Sequence, residues 1–295
     1  MSGNKQADAA VIAVGEELLS GETTDTTGPW LGRRLAALGV PVVRRWIVGD
    51  DAEAIQAALS AALRIADLII VTGGLGPTRD DLTRPAVADL LGLDLQPDPN
   101  IVDDLRERFR ARGIPDLPTN NLSQAEVPRG AQVLANKLGS APGLLMEHEG
   151  RSVALLPGVP REMRGIFDDV LADVLRDRFE DRLVPLVHRT LYTTGIAESV
   201  LGERVDEVRA GLPKEVDLAF LPGLRGVAIR ISIRSWADVS AKFLDEAQAV
   251  LDSVVAPYRI GLEKGDLVEA VADALTNESY TLAVAESCTG GLIAK

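Results

Sequence analysis

Cysteine occurs once in this chain, at Cys288, and histidine twice, at His148 and His188. A single thiol excludes an internal disulfide and fits a reducing compartment. The two histidines are isolated, without the close, repeated His/Cys spacing that a zinc site needs. No apolar run approaches the ~18 residues that span a bilayer, and Met1 to Ala10 lacks the apolar core of a signal peptide. There is no surplus of positive charge either: the formal net charge is −13. An acidic surface repels nucleic-acid phosphates and anionic lipid. These absences lead to an expectation of a soluble, cytoplasmic protein with neither nucleic acid nor membrane as a partner. Internal repeats and low-complexity tracts are also missing. What remains is 295 residues, 46% hydrophobic and 25% charged, enough for two or three domains with buried cores.

The most informative stretch is Leu68-Ile69-Ile70-Val71-Thr72-Gly73-Gly74-Leu75-Gly76-Pro77-Thr78-Arg79-Asp80-Asp81. Its apolar opening reads as a strand buried on both faces of a parallel sheet. A loop with three glycines follows, and then a new helix. Such a strand–loop–helix unit gathers backbone N–H groups and a positive helix end, which suits a phosphate. Gly73, Gly74 and Gly76 let backbone approach a ligand, Thr78 adds a hydroxyl, and Pro77 between them is expected at the same ligand. Asp80 and Asp81 supply hard oxygens for a divalent cation. The spacing is neither GxxxxGK[ST] nor GxGxxG. The plain alternative is a glycine turn with Asp80 or Asp81 capping a helix.

Upstream, Ala9 to Val14 reads as a strand ending at Gly15, followed by a loop that holds Glu16, Glu17, Glu22 and Asp25. A helix with Trp30, Leu31, Leu35 and Leu38 stops at Gly39. Val40 to Val48 reads as a strand, and Asp50 or Asp51 caps a helix facing inward through Ile55, Leu59 and Leu63. This β-α-β-α-β order predicts a parallel sheet with helices on both faces. Ligands bind such sheets beyond the carboxyl ends of the strands, where both the Gly15–Gly21 and the Gly73–Asp81 loops lie. Taken singly, each of Glu16, Asp25, Asp80 and Asp81 reads first as a solvated or capping carboxylate; taken together at two strand ends, they could converge on one cation.

Further on, a helix is expected from about Asn100 to Arg112, and Thr119-Asn120-Asn121 could open another. Gly143 to Glu147 and Arg151 to Leu156 read as a hairpin. A helix after Pro160 turns Met163, Ile166, Phe167, Val170, Leu171 and Val174 inward. The charged stretch Arg176-Asp177-Arg178-Phe179-Glu180-Asp181-Arg182 marks the first domain boundary, with the first domain taken as 1–181. A small α+β unit over 182–262 reads β (Leu186–Thr193), α (Ala197–Val208), β (Val216–Leu221), β (Val227–Arg234), α (Asp238–Val255). Its last helix is expected to bury Val239, Phe243, Val250 and Val254. Gly223-Leu224-Arg225-Gly226 joins two strands and reads as a hairpin turn, despite its GxxG form. From Asp266 a helix through Leu275 and a strand Thr281–Ala285 lead to Ser287 and Cys288. Some thirty residues cannot close a core alone, so this is either a truncated domain or a docked tail. Left exposed, its apolar side chains would favour docking, and a homodimer is expected, with the small α+β unit or this segment contributing to the contact.

Thr72–Asp81 resembles the signature loop of the CinA (competence/damage-inducible protein A) family. Gly15-Glu16-Glu17-Leu18-Leu19-Ser20-Gly21, Gly139-Ser140-Ala141-Pro142-Gly143 and Leu156-Pro157-Gly158-Val159-Pro160-Arg161-Glu162-Met163 agree with it in order. Ala285-Glu286-Ser287-Cys288-Thr289-Gly290-Gly291 resembles the opening of the family's deamidase domain. The resemblance implies a molybdopterin-binding-like α/β domain over 1–181, a KH-like α+β domain over 182–262, and the start of a nicotinamide-nucleotide deamidase domain over 263–295. It implies a metal-dependent pyrophosphatase acting on ADP-ribose or a similar nucleotide diphosphate. The cofactor implied is Mg²⁺, Mn²⁺ or Co²⁺, with room for a monovalent cation such as K⁺. A module that binds a pterin or nucleotide without turnover is the alternative. Deamidation of nicotinamide mononucleotide is not expected from so short a third segment. The family also forms homodimers.

Under this resemblance Asp81 falls where related cofactor-biosynthesis proteins place a functional aspartate, and Asp25 matches a polar position in their first loop. Asn136 and Ser140 could contact a nucleotide, although their segment also reads as an ordinary Gly/Pro turn. Arg161 could clamp a phosphate, while Glu162 is explained by the helix dipole alone. The chain departs from the family pattern at Thr27, where asparagine is usual, at Lys137, where proline is common, and at Ser140, where threonine is common.

Overall fold

The computed structural model describes residues 5–224, 226–235, 237–260, 267–292 and 294. Two compact units divide the chain, Met1–Leu186 and Val187–Lys295.

The first unit opens with β1 (Ala9–Val14), the short helix α1 (Glu16–Leu19), α2 (Thr27–Leu38), β2 (Val42–Val48), α3 (Ala52–Leu63) and β3 (Leu68–Thr72). Beyond the glycine loop come α4 (Thr83–Leu91), β4 (Leu95–Pro97), α5 (Pro99–Ala111) and a 3₁₀ segment, Thr119–Ala125. Then follow β5 (Glu126–Pro128), β6 (Gln132–Leu134), β7 (Gly143–His148) and β8 (Arg151–Leu156). The unit closes with α6 (Pro160–Ile166), a π-helical turn at Phe167–Leu171, and α7 (Ala172–Phe179).

The main sheet has the order β2-β1-β3-β8-β7-β6. β2, β1, β3 and β8 run parallel, whereas β7 and β6 pair antiparallel. The turn between β7 and β8 puts Glu149 and Gly150 at positive φ, 47° and 75°, as a tight hairpin of matching twist requires. Helices cover both faces, the α/β arrangement expected from the element order. β3 is buried throughout. Ile69 and Val71 join one core layer with Ile12, Ile55, Leu59, Val87 and Leu155. Leu68 and Ile70 join the other with Val11, Leu31, Leu35, Met163 and Phe167. Each such aliphatic side chain stabilises by roughly 1.5–3 kcal/mol on burial, which is why β3 sits at the centre.

At the amino end of β3, Asp67 accepts hydrogen bonds from Arg151 (2.7 Å) and from Arg182. Asp67 and Asp8 also exchange backbone-to-carboxylate bonds. The charge therefore lies buried but paired, as low dielectric demands.

The second unit contains β9 (Leu186–Thr193), which begins at the last residue of the first, α8 (Glu198–Val208), β10 (Val216–Gly223), β11 (Gly226–Arg234) and α9 (Ala237–Val255). Its sheet has the order β10-β11-β9. Val227, Ile229, Ile231 and Ile233 pack under Leu201 and Val205 of α8. From α9 the buried residues are Leu244, Ala247, Leu251 and Val255, a face rotated from the expected one. Val239 is exposed, Phe243 and Val254 pack only at the margin, and Val250 is half-buried outside the core cluster. α9 carries apolar residues on more than half its circumference, so the isoleucine row beneath, rather than spacing alone, selects the inner face.

β10 and β11 pair as far as Gly223 and Gly226. The hairpin turn expected there includes Arg225, which lies outside the described residues, as does the expected segment start at Asp266. α10 (Leu267–Asn277) follows, with no buried residue. The strand expected at Thr281–Ala285 is not formed: these residues are irregular and exposed. A strand needs a neighbour to hydrogen-bond with, and none is paired with it among the described residues. No described helix is long and apolar enough to cross a membrane.

Candidate functional site

A cavity of about 650 Å³ opens at the carboxyl ends of β1 and β3 in the first unit. Its size falls within the roughly 300–1,000 Å³ of small-molecule sites. The glycine loop forms one wall, the loop after β1 a second, and Ser140 with Pro157–Glu162 a third. Among the expected residues, Asp25, Gly73, Gly74, Gly76, Pro77, Thr78, Asp80, Asp81 and Ser140 all line it. Glu16, Asn136 and Arg161 do not.

The loop conformation explains its glycines. Gly73 has φ 97° and Gly74 φ 63°. A Cβ at Gly73 would overlap the Val14 carbonyl oxygen, and one at Gly74 the Thr83 hydroxyl. That Thr83 hydroxyl is buried without a hydrogen-bond partner. The Gly73 N–H donates to the Leu156 carbonyl, tying the loop to β8.

Asp81 is the internal staple of the loop and caps no helix. Its Oδ1 accepts the Gly76 N–H at 2.7 Å, and its Oδ2 accepts the Thr78 N–H at 2.8 Å and the Thr78 hydroxyl at 2.6 Å. A carboxylate offers about four acceptor positions, so three are engaged within the loop. The amides of Gly73, Gly76 and Thr78 are correspondingly not bare, which departs from the cradle of open N–H groups expected from sequence. Asp80 is exposed.

Arg84 braces the loop from below. Its guanidinium donates to the Leu75 carbonyl at 3.0 Å and to the Ser123 carbonyl at 2.5 Å. Burial pushes its pKa below the ordinary arginine value, opposed by the nearby Glu126 and Asp81 carboxylates. Arg84 thereby couples the glycine loop to the 3₁₀ segment that carries Gln124, another lining residue. No motif marks Arg84 in the sequence, because its partners Leu75 and Ser123 are brought to it only by the fold.

In the first loop Asp25 Oδ1 accepts the Thr27 and Gly28 N–H groups, each at 2.9 Å, and so serves the start of α2. Its other oxygen lies 3.9 Å from the Arg45 guanidinium. Glu17, not Glu16, lines the cavity. Successive helical residues point about 100° apart; the Glu16 N–H donates to Asp50, and its carboxylate lies against Gly49.

Asn136 was expected at a ligand, yet its side-chain amide is saturated within the protein. Its Oδ1 accepts the Leu138 and Gly139 N–H groups, and its Nδ2 donates to the Ala141 carbonyl at 2.8 Å and to Glu162 Oε2 at 2.7 Å. An amide has two donor hydrogens and two acceptor positions, so none is left over. Arg161 is exposed and does not line the cavity, whereas the adjacent Glu162 does.

The lining contains six carboxylates, Glu17, Asp25, Asp50, Asp80, Asp81 and Glu162, and no lysine or arginine. Among the described residues no three Asp, Glu, His or Cys side chains converge closely enough to hold a metal by themselves. The donor set suits a hard divalent cation that takes one or two carboxylates and completes its shell with phosphate and water oxygens.

Residues 10–177 match the family described as "Probable molybdopterin binding domain", and residues 264–295 match the "CinA C-terminal domain". A "CinA-like protein" of Gemmatimonas aurantiaca is 43% identical over 288 residues, covering 97% of this chain and 67% of that relative. A "CinA-like protein" of Salinibacter ruber is 40% identical over 286 residues, covering 97% and 69%. Among solved structures, "the protein CinA with unknown function from Thermoplasma acidophilum" is similar at 35% identity and a TM-score of 0.54, covering 58% of this chain and 99% of that one.

Proposed function

The chain belongs to the CinA family with a molybdopterin-binding-like first domain, and from that premise we propose that this domain hydrolyses a nucleotide diphosphate of the ADP-ribose type with a divalent cation. The observation that carries the reading is the cavity's charge: six carboxylates and no basic side chain. Six carboxylates repel a diphosphate, and a cation held by them would offset that repulsion. Asp80, with the remaining acceptor position of Asp81, would hold Mg²⁺, Mn²⁺ or Co²⁺. When bound, such an ion neutralises phosphate charge and polarises the phosphorus it faces.

The chain's own residues do the rest. Gly73 and Gly74 let the loop fold tightly against Val14 and Thr83, which places its backbone along the cavity wall. Ser140 and the threonines of the first loop offer hydroxyls to phosphate or ribose oxygens. The Arg84 brace and the Asp81 staple keep the loop fixed, so little reorganisation is needed when charge develops.

The test is a hydrolysis screen of nucleotide diphosphates with each metal, against a chelator control. Cation-dependent release of two monophosphates is the expected result. Tight nucleotide binding with no turnover under any metal would replace this reading with that of a binding module.

A further inference from the structure

Resting on the hydrolase reading above, we propose that Glu162 is the general base of the reaction and that Asn136 is its positioning residue. Glu162 faces the cavity from the wall formed by the start of α6, whereas Asp80 and Asp81 face it from the glycine loop. Of the six lining carboxylates, Glu162 thus stands on a different wall from the two assigned to the cation and is left to take a proton. Glu162 is held firmly. Its Oε2 receives the Asn136 amide at 2.7 Å, and Gly139 lies so close that any Cβ there would overlap the carboxylate. Asn136 is itself fixed by three further hydrogen bonds within its own loop. A carboxylate pinned by a saturated amide and a glycine keeps one orientation, and fixed orientation is what proton transfer at a reacting centre requires. Helix-dipole stabilisation alone calls for neither the asparagine nor the glycine.

The step balances as follows. A water oxygen forms a bond to one phosphorus while the bond from that phosphorus to the bridging oxygen breaks. The electron pair of the broken bond leaves with the departing phosphate. The proton lost by the attacking water passes to Glu162, which returns it to solvent after the products leave.

The deciding variant is Glu162→Gln, which retains the acceptor for Asn136 and removes the basicity. The expected result is a kcat lower by about 10²–10⁴-fold. KM, the concentration of metal that gives half-maximal rate, and the Kd for a methylene-bridged, non-hydrolysable nucleotide should all stay within about twofold of the parent. Glu162→Ala should recover part of its turnover when formate is added, because a small carboxylate can occupy the vacated space. Asn136→Ala should lower kcat more than it raises KM.

A Glu162→Gln protein with parental kcat overturns the proposal, and an inactive Asp80→Asn protein measured beside it would show that the hydrolase reading survives. Weakened metal or analogue binding in step with the loss of kcat also overturns it, making Glu162 a binding group. A parent without turnover under any metal overturns both.

Discussion

Thr78 donates both its backbone N–H and its hydroxyl to one oxygen of Asp81, at 2.8 and 2.6 Å. The aspartate that family resemblance marks as functional is therefore also what shapes its own loop. Replacing it with asparagine does not leave the loop intact, because an NH₂ group would meet N–H donors. Asp81→Asn should lose about 1–3 kcal/mol of stability together with any turnover. Asp80→Asn is the cleaner probe: it should reduce turnover at least tenfold while leaving the urea midpoint unchanged. Parental rates in Asp80→Asn across a metal titration would remove that residue from the cation site.

Gly73→Ala tests whether backbone strain or ligand access explains the glycine. The added Cβ meets the Val14 carbonyl oxygen whether or not ligand is present. We expect a loss of about 2 kcal/mol or more, read as a fall in Tm of about 4–8 °C. An unchanged Tm would mean that β1 and the loop separate readily.

At the far end of the same strand, Asp67→Ala should uncouple Arg151 and Arg182. Breaking a fully buried pair costs about 3–5 kcal/mol; the arginines here keep about a third of their side chains in solvent. A loss of about 2 kcal/mol is expected, with the KM for nucleotide unaltered. A change in KM without a change in stability would contradict this division.

The C-terminal segment exposes Val268, Val271, Leu282 and Leu292. Contact between such side chains of two copies would cover them, and a homodimer is the expected assembly. Light scattering should return twice the 31.4 kDa chain mass. A monomer whose tail is cut rapidly by protease would exclude it.

Much of the architecture was readable because hydrophobic period and turn chemistry agreed. The strand at Leu186–Thr193 has the limits expected from sequence, and His148-Glu149-Gly150 marks the turn of the hairpin before it. Three-residue strands such as Gln132–Leu134 carry too little pattern to be seen, since only pairing with β7 defines them. The cavity was legible at the level of loops, because glycines and strand ends locate it. Individual carboxylates were not. Whether Glu16 or Glu17 faces inward depends on one turn of helix, and the roles of Asn136 and Arg84 depend on hydrogen bonds to segments distant in sequence. Glu162 is not singled out by its sequence, because a helix start gives any glutamate a sufficient reason to be there.

β3 is only five residues long, and at ~3.3 Å per residue its ends lie roughly 17 Å apart. One end carries the Asp67 ion network, the other the glycine loop. Thermal tolerance can therefore be adjusted at the amino end, by changing which cations meet Asp67, while the chemistry at the carboxyl end stays unaltered. For anyone engineering a heat-resistant variant, residues 8, 67, 151 and 182 are the place to begin a library, and the loop from 73 to 81 is the place to leave untouched.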